Sequence, residues 1–454
     1  MAMHDDQERS GSGPTNMRIA IVGAGMGGLA CALALAKKGF TDIQVFEMAS
    51  DLGFVGAGIQ LAPNLVRILS RLGCWESIEA EATDVLEASI RDGASNRELT
   101  HVHMPDIRKR YGYPHCTGHR ASLAAGLYEA AKKEPSIRWN FGCTVEGIDQ
   151  YTPAVTFTVK PRDGSAPRQV ECDVLLAADG VKSNVRAHVL AELGVPAVVE
   201  DTGQAAYRIT LPRSAMASDP EMLALIDSNQ VTRWIGSRRH WIAYPVASKT
   251  IYNMSSTQPD THFAAAPSAT YTTKGSKAAM ADVFADFCPL VHRLMDLVPD
   301  GEVCEWKLRV HAPLPTWVRS TVALVGDACH PTLPHLNQGA AMAVEDAAVL
   351  AEVLARAPDA TQGSVNRCLR VYELLRKERT TTLVDLAAES GRTLHLGEGR
   401  AKEERDRQFA EARASGKKAV PDKWASPDVQ EMIYSHDCMK VAAEKFDELY
   451  RSLA

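Results

Sequence analysis

The chain has 454 residues, of which 45% are hydrophobic and 23% charged, and its formal net charge is −6. This length predicts two or three domains that can fold without disulfides or metal ions. The small acidic excess argues against nucleic acid as the main partner, because neutralising phosphates requires a basic surface. The ten cysteines show no zinc-ligand spacing, so we predict reduced thiols, mostly buried, and no metal site.

The N-terminal residues 1–16 are polar and lack the apolar segment of a secretion signal, so we expect a disordered tail. The rest of the chain contains no apolar run of about 18 residues, the length that a membrane helix needs. These features predict a soluble cytoplasmic protein without membrane contact.

The folded part is predicted to begin with a strand, a helix and a second strand. The β-branched run Arg18–Val22 predicts a buried strand, Leu29–Lys38 an apolar helix and Ile43–Glu47 the next strand. The turn between the first strand and the helix carries the motif Gly-x-Gly-x-x-Gly, formed by Gly23, Gly25 and Gly28.

Each glycine of this turn has a physical task. Gly23 allows the tight turn, Gly25 lets a pyrophosphate approach the backbone, and Gly28 lets the helix pack close to the strand. The N-terminus of the helix offers free N–H groups to the phosphates. Glu47, at the end of the second strand, can accept hydrogen bonds from ribose hydroxyls. Together these features predict a site for an adenine dinucleotide.

A second motif follows a buried apolar strand within residues 172–186. The strand ends in Asp179 and Gly180, with Ser183 and Arg186 spaced after it. Taken alone, a strand that ends in Asp-Gly is also compatible with an ordinary turn.

A third motif follows the predicted strand Val322–Val325, which runs into Gly326 and Asp327. A proline-rich turn with Pro334 comes next, and a helix of small residues begins near Gly339. An aspartate at such a strand end can bind a ribityl hydroxyl, and the helix N-terminus can stabilise negative charge on a ring system. A plain strand–turn–helix is the alternative.

The three motifs, in this order, resemble the single-component FAD-dependent aromatic monooxygenases, the group of p-hydroxybenzoate and fungal salicylate hydroxylases. The resemblance implies an α/β fold with a Rossmann-type FAD-binding domain, an inserted β-sheet substrate domain and a C-terminal helical region. It assigns residues 17–200 and 310–390 to the FAD-binding domain, 201–309 to the substrate domain and 391–454 to the helical region.

The resemblance also implies FAD as cofactor, with NADH or NADPH and O₂ as co-substrates. The segment that contains Arg120 is similar to a family helix with a flavin-contacting arginine, and residues 56–64 are similar to the loop beside the flavin. One departure is Asn337, which stands where the family often has glycine. The expected FAD-binding residues are Gly23, Gly25, Gly28, Glu47, Gly58, Arg120, Asp179, Gly180, Gly326, Asp327, Pro334 and Gly339.

The substrate is expected to lie against a strand of the inserted domain. On a strand, His240 and Tyr244 share one face, about 13 Å apart at ~3.3 Å per residue. The pair is similar to one that lines the substrate ring in hydroxybenzoate and hydroxynicotinate hydroxylases, which implies that His240 takes the phenol proton. Arg208 resembles a position that holds a substrate oxyanion, and His335 one that faces the substrate. A buried or solvent-facing histidine and a surface arginine are the plainer alternatives.

The implied reaction is hydroxylation of a phenolic aromatic acid, salicylate or another hydroxybenzoate, with or without decarboxylation. Reduced flavin is expected to add O₂ as a C4a-hydroperoxide, which attacks only an electron-rich ring, so a base such as histidine is needed to form a phenolate. A hydroxylase or epoxidase for a larger polyketide or alkaloid is one alternative. A non-catalytic flavin- or nucleotide-binding protein of the same fold is another.

The partners predicted for this chain are a small aromatic substrate and a second copy in a homodimer. The C-terminal region has a charged helical pattern around Ala401–Ala414. We expect it to pack outside the cofactor domain or to join a dimer contact.

Overall fold

The computed structural model of the chain describes residues 13–53, 56–261, 272–415 and 421–453. Most of the predicted tail, residues 1–12, lies outside the described residues. Its last part differs from the prediction, because Pro14–Asn16 forms a short 3-10 helix that leads directly into the first strand.

Strands of several sheets alternate with helices along the first two thirds of the chain. The strands are β1 (Arg18–Val22), β2 (Asp42–Phe46), β3 (Gly58–Leu61), β4 (Thr83–Asp84), β5 (Glu87–Asp92), β6 (Glu98–His103), β7 (Cys116–His119), β8 (Ile137–Asn140), β9 (Cys143–Gln150), β10 (Val155–Pro161), β11 (Arg168–Cys172), β12 (Val174–Ala177), β13 (Glu200–Pro212), β14 (Gln230–Gly236), β15 (Arg239–Val246), β16 (Ile251–Pro259), β17 (Thr272–Lys274), β18 (Cys304–Val310), β19 (Val318–Arg319) and β20 (Val322–Leu324).

Helices dominate the last third of the chain. The α-helices are α1 (Met26–Lys37), α2 (Pro63–Arg71), α3 (Trp75–Glu79), α4 (Ile107–Tyr111), α5 (Arg120–Ala131), α6 (Asn184–Ala191), α7 (Arg213–Met216), α8 (Pro220–Asp227), α9 (Lys277–Val283), α10 (Pro289–Asp296), α11 (Gly339–Leu354), α12 (Gln362–Leu394), α13 (Arg400–Ser415), α14 (Pro427–Tyr434) and α15 (Cys438–Ser452). Further 3-10 helices are formed by Gly326–Ala328 and Pro334–Leu336.

A six-stranded sheet with the order β19-β20-β12-β1-β2-β8 forms the first layer. Its central strand β1 runs parallel to β2 and β12, and β12 runs parallel to β20. Parallel strands end at the same edge of a sheet, so the turns after β1, β12 and β20 meet there. The predicted strand Arg18–Val22 is confirmed as β1. Helix α1 begins at Met26 rather than Leu29, because Gly25 is its N-cap.

An eight-stranded sheet with the order β17-β18-β13-β16-β15-β14-β5-β6 forms the second layer. One face packs on helices α8 to α10 through a core that includes Trp234, Trp241 and Phe284. On the other face, Tyr244 packs in a core with Leu336, Met342 and Trp424. The prediction that all of 17–200 belongs to the FAD-binding domain is wrong for β5 and β6, because β5 pairs with β14 and extends this second sheet.

The C-terminal helices pack against both layers. Helix α12 has 33 residues and runs across the boundary expected at 390. Helix α15 packs on α11 and α12, and the segment around Trp424 joins a core with Tyr244 and Leu336. The helical region therefore closes the space between the two sheets, instead of lying only outside the cofactor domain.

The remaining sheets are small and antiparallel, with the orders β11-β10-β9 and β3-β7-β4. All ten cysteines are free, and eight of them are buried, as the sequence predicts for reduced thiols in a core. None of the helices in the described part of the chain combines the length and the apolarity that a membrane span requires.

Candidate active site

The turn after β1 has the close contacts that only glycine permits. Gly23 has a φ of +95°, and a Cβ there would lie 2.5 Å from the carbonyl oxygen of Ala178. A Cβ on Gly28 would lie 1.9 Å from the carbonyl oxygen of Gly23. At Gly25, by contrast, the described residues place no further atom within 4 Å of such a Cβ. The protein does not fill the space in front of Gly25, which is where the sequence places a pyrophosphate.

Glu47 lies directly after β2 and beside this turn. Its two carboxylate oxygens accept hydrogen bonds from the backbone N–H groups of Ala24, at 2.7 Å, and Ala49, at 2.8 Å. Each oxygen keeps a lone pair for a further donor. The carboxylate is thus fixed at the end of the strand in an orientation that can accept ribose hydroxyls.

The turn after β12 holds Asp179 close to the first turn. The Asp179 Oδ2 accepts from the N–H of Val185 at 3.3 Å, while its buried Oδ1 has no partner within the described part of the chain. Burial raises the pKa of this carboxyl group. Gly180 follows with a φ of +76°, and Arg186 ties the turn to the carbonyl oxygen of Ala328 in the third motif.

The third turn presents Asp327 to an open cleft. Gly326 has a φ of +61°, and its N–H donates to Asp346 Oδ2 at 3.0 Å. Asp327 is exposed in this turn, yet the surrounding protein raises the pKa of its carboxyl group, while the charges of His330 and Arg120 lower it. A side chain that is both exposed and surrounded faces a recess rather than the outer surface.

Arg120, the first residue of α5, points into the same recess. Its side chain is exposed, but desolvation by the surrounding protein lowers its pKa, and Asp327 is the charge that raises it. The backbone N–H of Arg120 donates to the carbonyl oxygen of Ala57, and a Cβ on Gly56 would lie 2.8 Å from the Cβ of Arg120. The loop that contains Gly58 thus packs directly on the arginine.

Gly58 connects this loop to the second sheet. Its N–H donates to Asn253 Oδ1 at 2.6 Å, and a Cβ on it would meet Tyr244 Cε2 at 2.6 Å. In the loop between Pro334 and Gly339, Asn337 has a φ of +57°. The left-handed region favours glycine and tolerates asparagine, which accounts for Asn337 at this position.

These observations fit FAD. The open space at Gly25, the unpartnered oxygen of Asp179 and the exposed charge of Asp327 lie at the carboxyl edge of the six-stranded sheet, and the charge of Arg120 interacts with that of Asp327. An adenine nucleotide would occupy the Gly25 and Glu47 end, and an isoalloxazine ring the end near Asp327. The roles of the individual residues stay predictions.

The cleft face of the second sheet carries the predicted substrate residues. Adjacent strands place one row of directly opposed side chains on this face, formed by Arg208, Ser255, Ile242 and Arg233. His240 and Tyr244 lie two residues to either side of Ile242, so they share this face. Both side chains are buried.

The two arginines of this row differ in their partners. Arg233 is buried, pairs with Asp422 at 2.8 Å and stacks on the ring of Trp424 at 5.0 Å. Arg208 is half-buried and stacks on Trp306 at 4.9 Å, and Arg120 is the main charge that lowers its pKa. Among the described residues, no carboxylate lies within ion-pair distance of Arg208.

A cluster of three histidines, His240, His335 and His395, lies beyond Tyr244; we refer to it as the histidine cluster. The Nδ1 of His240 and the Nε2 of His395 share a hydrogen bond of 2.6 Å. The ring of His335 lies 5.5 Å from that of His240 and 5.4 Å from that of His395. Both nitrogens of His335 are buried without a partner in the described ranges.

The electrostatics of the histidine cluster favour neutral rings. Burial lowers the pKa of His335 to about 3 and that of His395 to about 4, and it holds the pKa of His240 well below its usual range. The positive charge of Arg233 lowers all three pKa values further. Neutral imidazoles are able to accept protons.

A second buried polar group lies behind the loop of Asp327; we call it the acidic–arginine network. It consists of Glu345, Asp346, Arg376, Arg379 and His330. Arg376 pairs with Glu345 at 2.7 Å and with Asp346 at 2.8 Å. Cys329, His330 and Asp346 are close enough to share a metal ion, which the sequence spacing did not reveal. The oxygens of Asp346, however, already accept hydrogen bonds from Arg376, Gly326 and His330.

Sequence reasoning missed His395, Arg233 and Asp422. His395 follows the end of α12, 155 residues from His240 in the chain, and no local motif marks it. Asp422 lies 189 residues from Arg233. The only signal for Asp422 was that a buried Arg233 requires a carboxylate partner, and the burial of β14 is visible only in the structure.

Comparison with known proteins identifies the family. A family model described as an FAD binding domain matches residues 16–387. The chain is 31% identical over 435 residues to the FAD-dependent monooxygenase ntnJ of Nectria sp, which covers 95% of this chain and 96% of that protein. It is 34% identical over 364 residues to 3-hydroxybenzoate 6-hydroxylase 1 of Aquipseudomonas alcaligenes, which covers 80% and 85%.

Among solved structures, a salicylate hydroxylase substrate complex matches with a TM-score of 0.76 at 24% identity, over 96% of this chain and 98% of that one. This likeness confirms the predicted fold class. The match of the FAD-binding model and the two relatives establish more than the fold. The chain belongs to the FAD-dependent aromatic monooxygenases, oxidoreductases that use FAD together with NAD(P)H and O₂.

Proposed function

We propose that this enzyme hydroxylates a phenolic aromatic acid of the salicylate or hydroxybenzoate class. Bound FAD supplies the redox chemistry, since it accepts a hydride from NAD(P)H and activates O₂. The observation that carries the proposal is Arg208, a cation without a carboxylate partner among the described residues, on the same sheet face as His240.

An acidic substrate would complete the row of side chains across the sheet. Arg233 already has its carboxylate, Asp422, whereas Arg208 faces a second cation, Arg120. Two cations side by side repel each other, and a substrate carboxylate between them would relieve that repulsion. Arginine also binds carboxylates through paired, charge-assisted hydrogen bonds. The 3-hydroxybenzoate hydroxylase among the relatives supports a substrate of this kind.

The hydroxyl end of such a substrate would lie near His240. Arg208 and Ile242 are two strand spacings apart, about 10 Å, and His240 is two residues further along β15. A neutral His240 can accept the phenol proton at Nε2, because Nδ1 is bonded to His395. The phenolate that forms enriches the ring in electrons, which oxygen transfer requires. Burial raises the pKa of Tyr244, so its hydroxyl stays protonated and can donate a hydrogen bond.

Apolar side chains close the reaction space. Tyr244, Leu336, Met342 and Trp424 belong to one buried core at this end of the cleft. A dry pocket protects reactive oxygen species from water and strengthens each polar contact. Attack at the carbon that bears the carboxylate would release CO₂, and attack elsewhere on the ring would retain it.

A substrate panel tests the proposal. The FAD-loaded enzyme is given salicylate, 3-hydroxybenzoate, 4-hydroxybenzoate and unsubstituted phenol, and the hydroxylated products are quantified alongside NAD(P)H oxidation. We expect Arg208→Gln to raise KM for the accepted acid about 10- to 100-fold, since a charged hydrogen bond contributes about 1.5–3 kcal/mol. The matched control is Arg319→Gln, a largely exposed arginine away from the cleft.

Two results would contradict the proposal. The first is wild-type enzyme that forms no product from any phenolic acid but does so from a larger polyketide or alkaloid. The second is Arg208→Gln with an unchanged KM for the acid. A protein that binds FAD but neither oxidises NAD(P)H nor forms product with any substrate would instead support the non-catalytic alternative.

A further inference from the structure

The proposed function requires a member of the histidine cluster to accept a proton in surroundings that disfavour positive charge. A base that accepts the phenol proton becomes an imidazolium, yet the surroundings of His240 oppose a positive charge. The charged groups that face the cluster are Arg233 from β14 and Arg405 from α13. The carboxylate of Asp422 pairs with Arg233 and accepts a hydrogen bond from the hydroxyl of Ser390. His240 is therefore badly placed to keep the proton that it accepts.

The contact between His240 and His395 provides a path by which the proton can leave His240. The two rings share a nitrogen–nitrogen hydrogen bond of 2.6 Å, which is short enough for proton transfer. His240 is only 4% exposed, whereas His395 is half-buried at the end of α12. Of the two rings, that of His395 is therefore the more exposed.

The end of α12 is shaped to admit these rings. A Cβ on Gly391 would lie 2.5 Å from Cδ2 of His335, so only glycine allows the helix to approach the cluster this closely. The carbonyl oxygen of His395 accepts a hydrogen bond from the N–H of Arg238, which fixes the helix end to β15. These contacts hold His395 in line with His240.

We propose that His240 and His395 form a proton relay that carries the phenol proton to solvent; this inference rests on the proposed function. The O–H bond of the substrate breaks as its proton binds Nε2 of His240. The proton on Nδ1 of His240 passes to Nε2 of His395, and the proton on Nδ1 of His395 passes to water. The substrate loses one proton, solvent gains one, and neither histidine keeps a positive charge. The same path in reverse restores the original tautomers.

The test compares two variants of His395 with wild-type holoenzyme. In His395→Gln, the amide oxygen can still accept a hydrogen bond from His240, but it cannot pass a proton on. In His395→Ala, added imidazole can take the place of the lost ring. The readouts are kcat, KM, the solvent deuterium isotope effect, and the rate at which bound 5-nitrosalicylate ionises after a pH jump on oxidised enzyme. The last readout needs no turnover.

The relay predicts a kcat lowered about 10- to 100-fold in both variants, within the range of acid–base catalysis, with KM nearly unchanged. It also predicts that imidazole restores at least part of the loss in His395→Ala and that ionisation of the bound nitrophenol slows in both. The matched control is His103→Gln, whose side chain is 71% exposed on an outer strand, and its kinetics should equal those of wild type.

The outcomes separate the relay from the function on which it rests. Wild type that hydroxylates a phenolic acid, combined with a His395→Gln variant of equal kcat and ionisation rate, would overturn the relay alone. A loss in His395→Ala that imidazole does not restore, with His395→Gln intact, would assign His395 an orienting role only and would also overturn the relay. Wild type without product from any phenolic acid would overturn the proposed function and the relay with it.

Discussion

Two buried polar groups, the acidic–arginine network and the histidine cluster, differ in how their charges are balanced. In the acidic–arginine network, all four carboxylate oxygens of Glu345 and Asp346 have partners, although Nδ1 of His330 and Nη1 of Arg376 make no hydrogen bond among the described residues. In the histidine cluster, both nitrogens of His335 lack partners in the described ranges. Buried polar groups are normally satisfied, because an unpaired one costs about 1–3 kcal/mol. We infer that the network serves the fold and that the cluster serves a ligand.

The largest effect is expected from breaking the network. Replacing Arg376 with alanine removes the cation that Glu345 and Asp346 share. Removal of one partner of a buried ion pair costs about 3–5 kcal/mol of unfolding free energy. Chemical denaturation of the variant measures this loss. Arg110→Ala, which removes an exposed pair with Glu431, is the control and should cost less than about 1 kcal/mol.

The matching change in the histidine cluster should separate stability from activity. His335→Phe replaces a ring without hydrogen bonds by an apolar ring of similar shape. We expect the unfolding free energy to stay the same or to rise, because no hydrogen bond of the described residues is lost and two unpaired buried nitrogens are removed. The hydroxylation rate should fall while the FAD content stays unchanged. A loss of stability as large as that of Arg376→Ala would show that the cluster is structural and would break the comparison.

The two groups should also respond to pH in opposite directions. Asp346 raises the pKa of His330 well above its usual range, so the stabilisation it gives is present below about pH 6.5 and is lost as pH rises through the folded pKa. The pKa values of His335 and His395 are lowered to about 3 and about 4, so the unfolded state binds more protons below pH 6.5. Stability from the cluster is therefore lost as pH falls toward 4.

This pH effect is measurable as a slope. Each such histidine contributes at most about 1.4 kcal/mol per pH unit between pH 6.5 and 4.5. In His335→Phe, the unfolding free energy should decrease less steeply with falling pH over this window, by up to the slope that one histidine contributes. His330→Asn should instead change the dependence above pH 6.5. Identical slopes for wild type and His335→Phe would contradict the assignment of a depressed pKa to His335.

Local patterns were sufficient to predict the nucleotide end of the fold. The run Arg18–Val22 and the glycines after it form a strand and a tight turn because their own residues demand it. The motif order also indicated that Asp179 and Asp327 meet, since parallel strands share one carboxyl edge. These features depend on neighbours in sequence or on a repeated topology.

The substrate end could be predicted only in part. The shared face of His240 and Tyr244 follows from the period of a strand, and the pairing of β15 bears it out. The bond to His395 depends on a contact 155 residues away, and the pairing of β5 with β14 is likewise non-local. Neither leaves a periodic or compositional trace, so no reading of the chain alone reveals it.

The three turns are expected to enclose one FAD, with its phosphates in front of Gly25. Titration of the apoprotein with FAD, followed by flavin fluorescence, compares the FAD affinity of wild type with that of Gly25→Ala. The added methyl group meets no atom of the described residues within 4 Å, so we expect an unchanged melting temperature and a weakened FAD affinity. Equal FAD affinity in the two proteins would contradict this expectation.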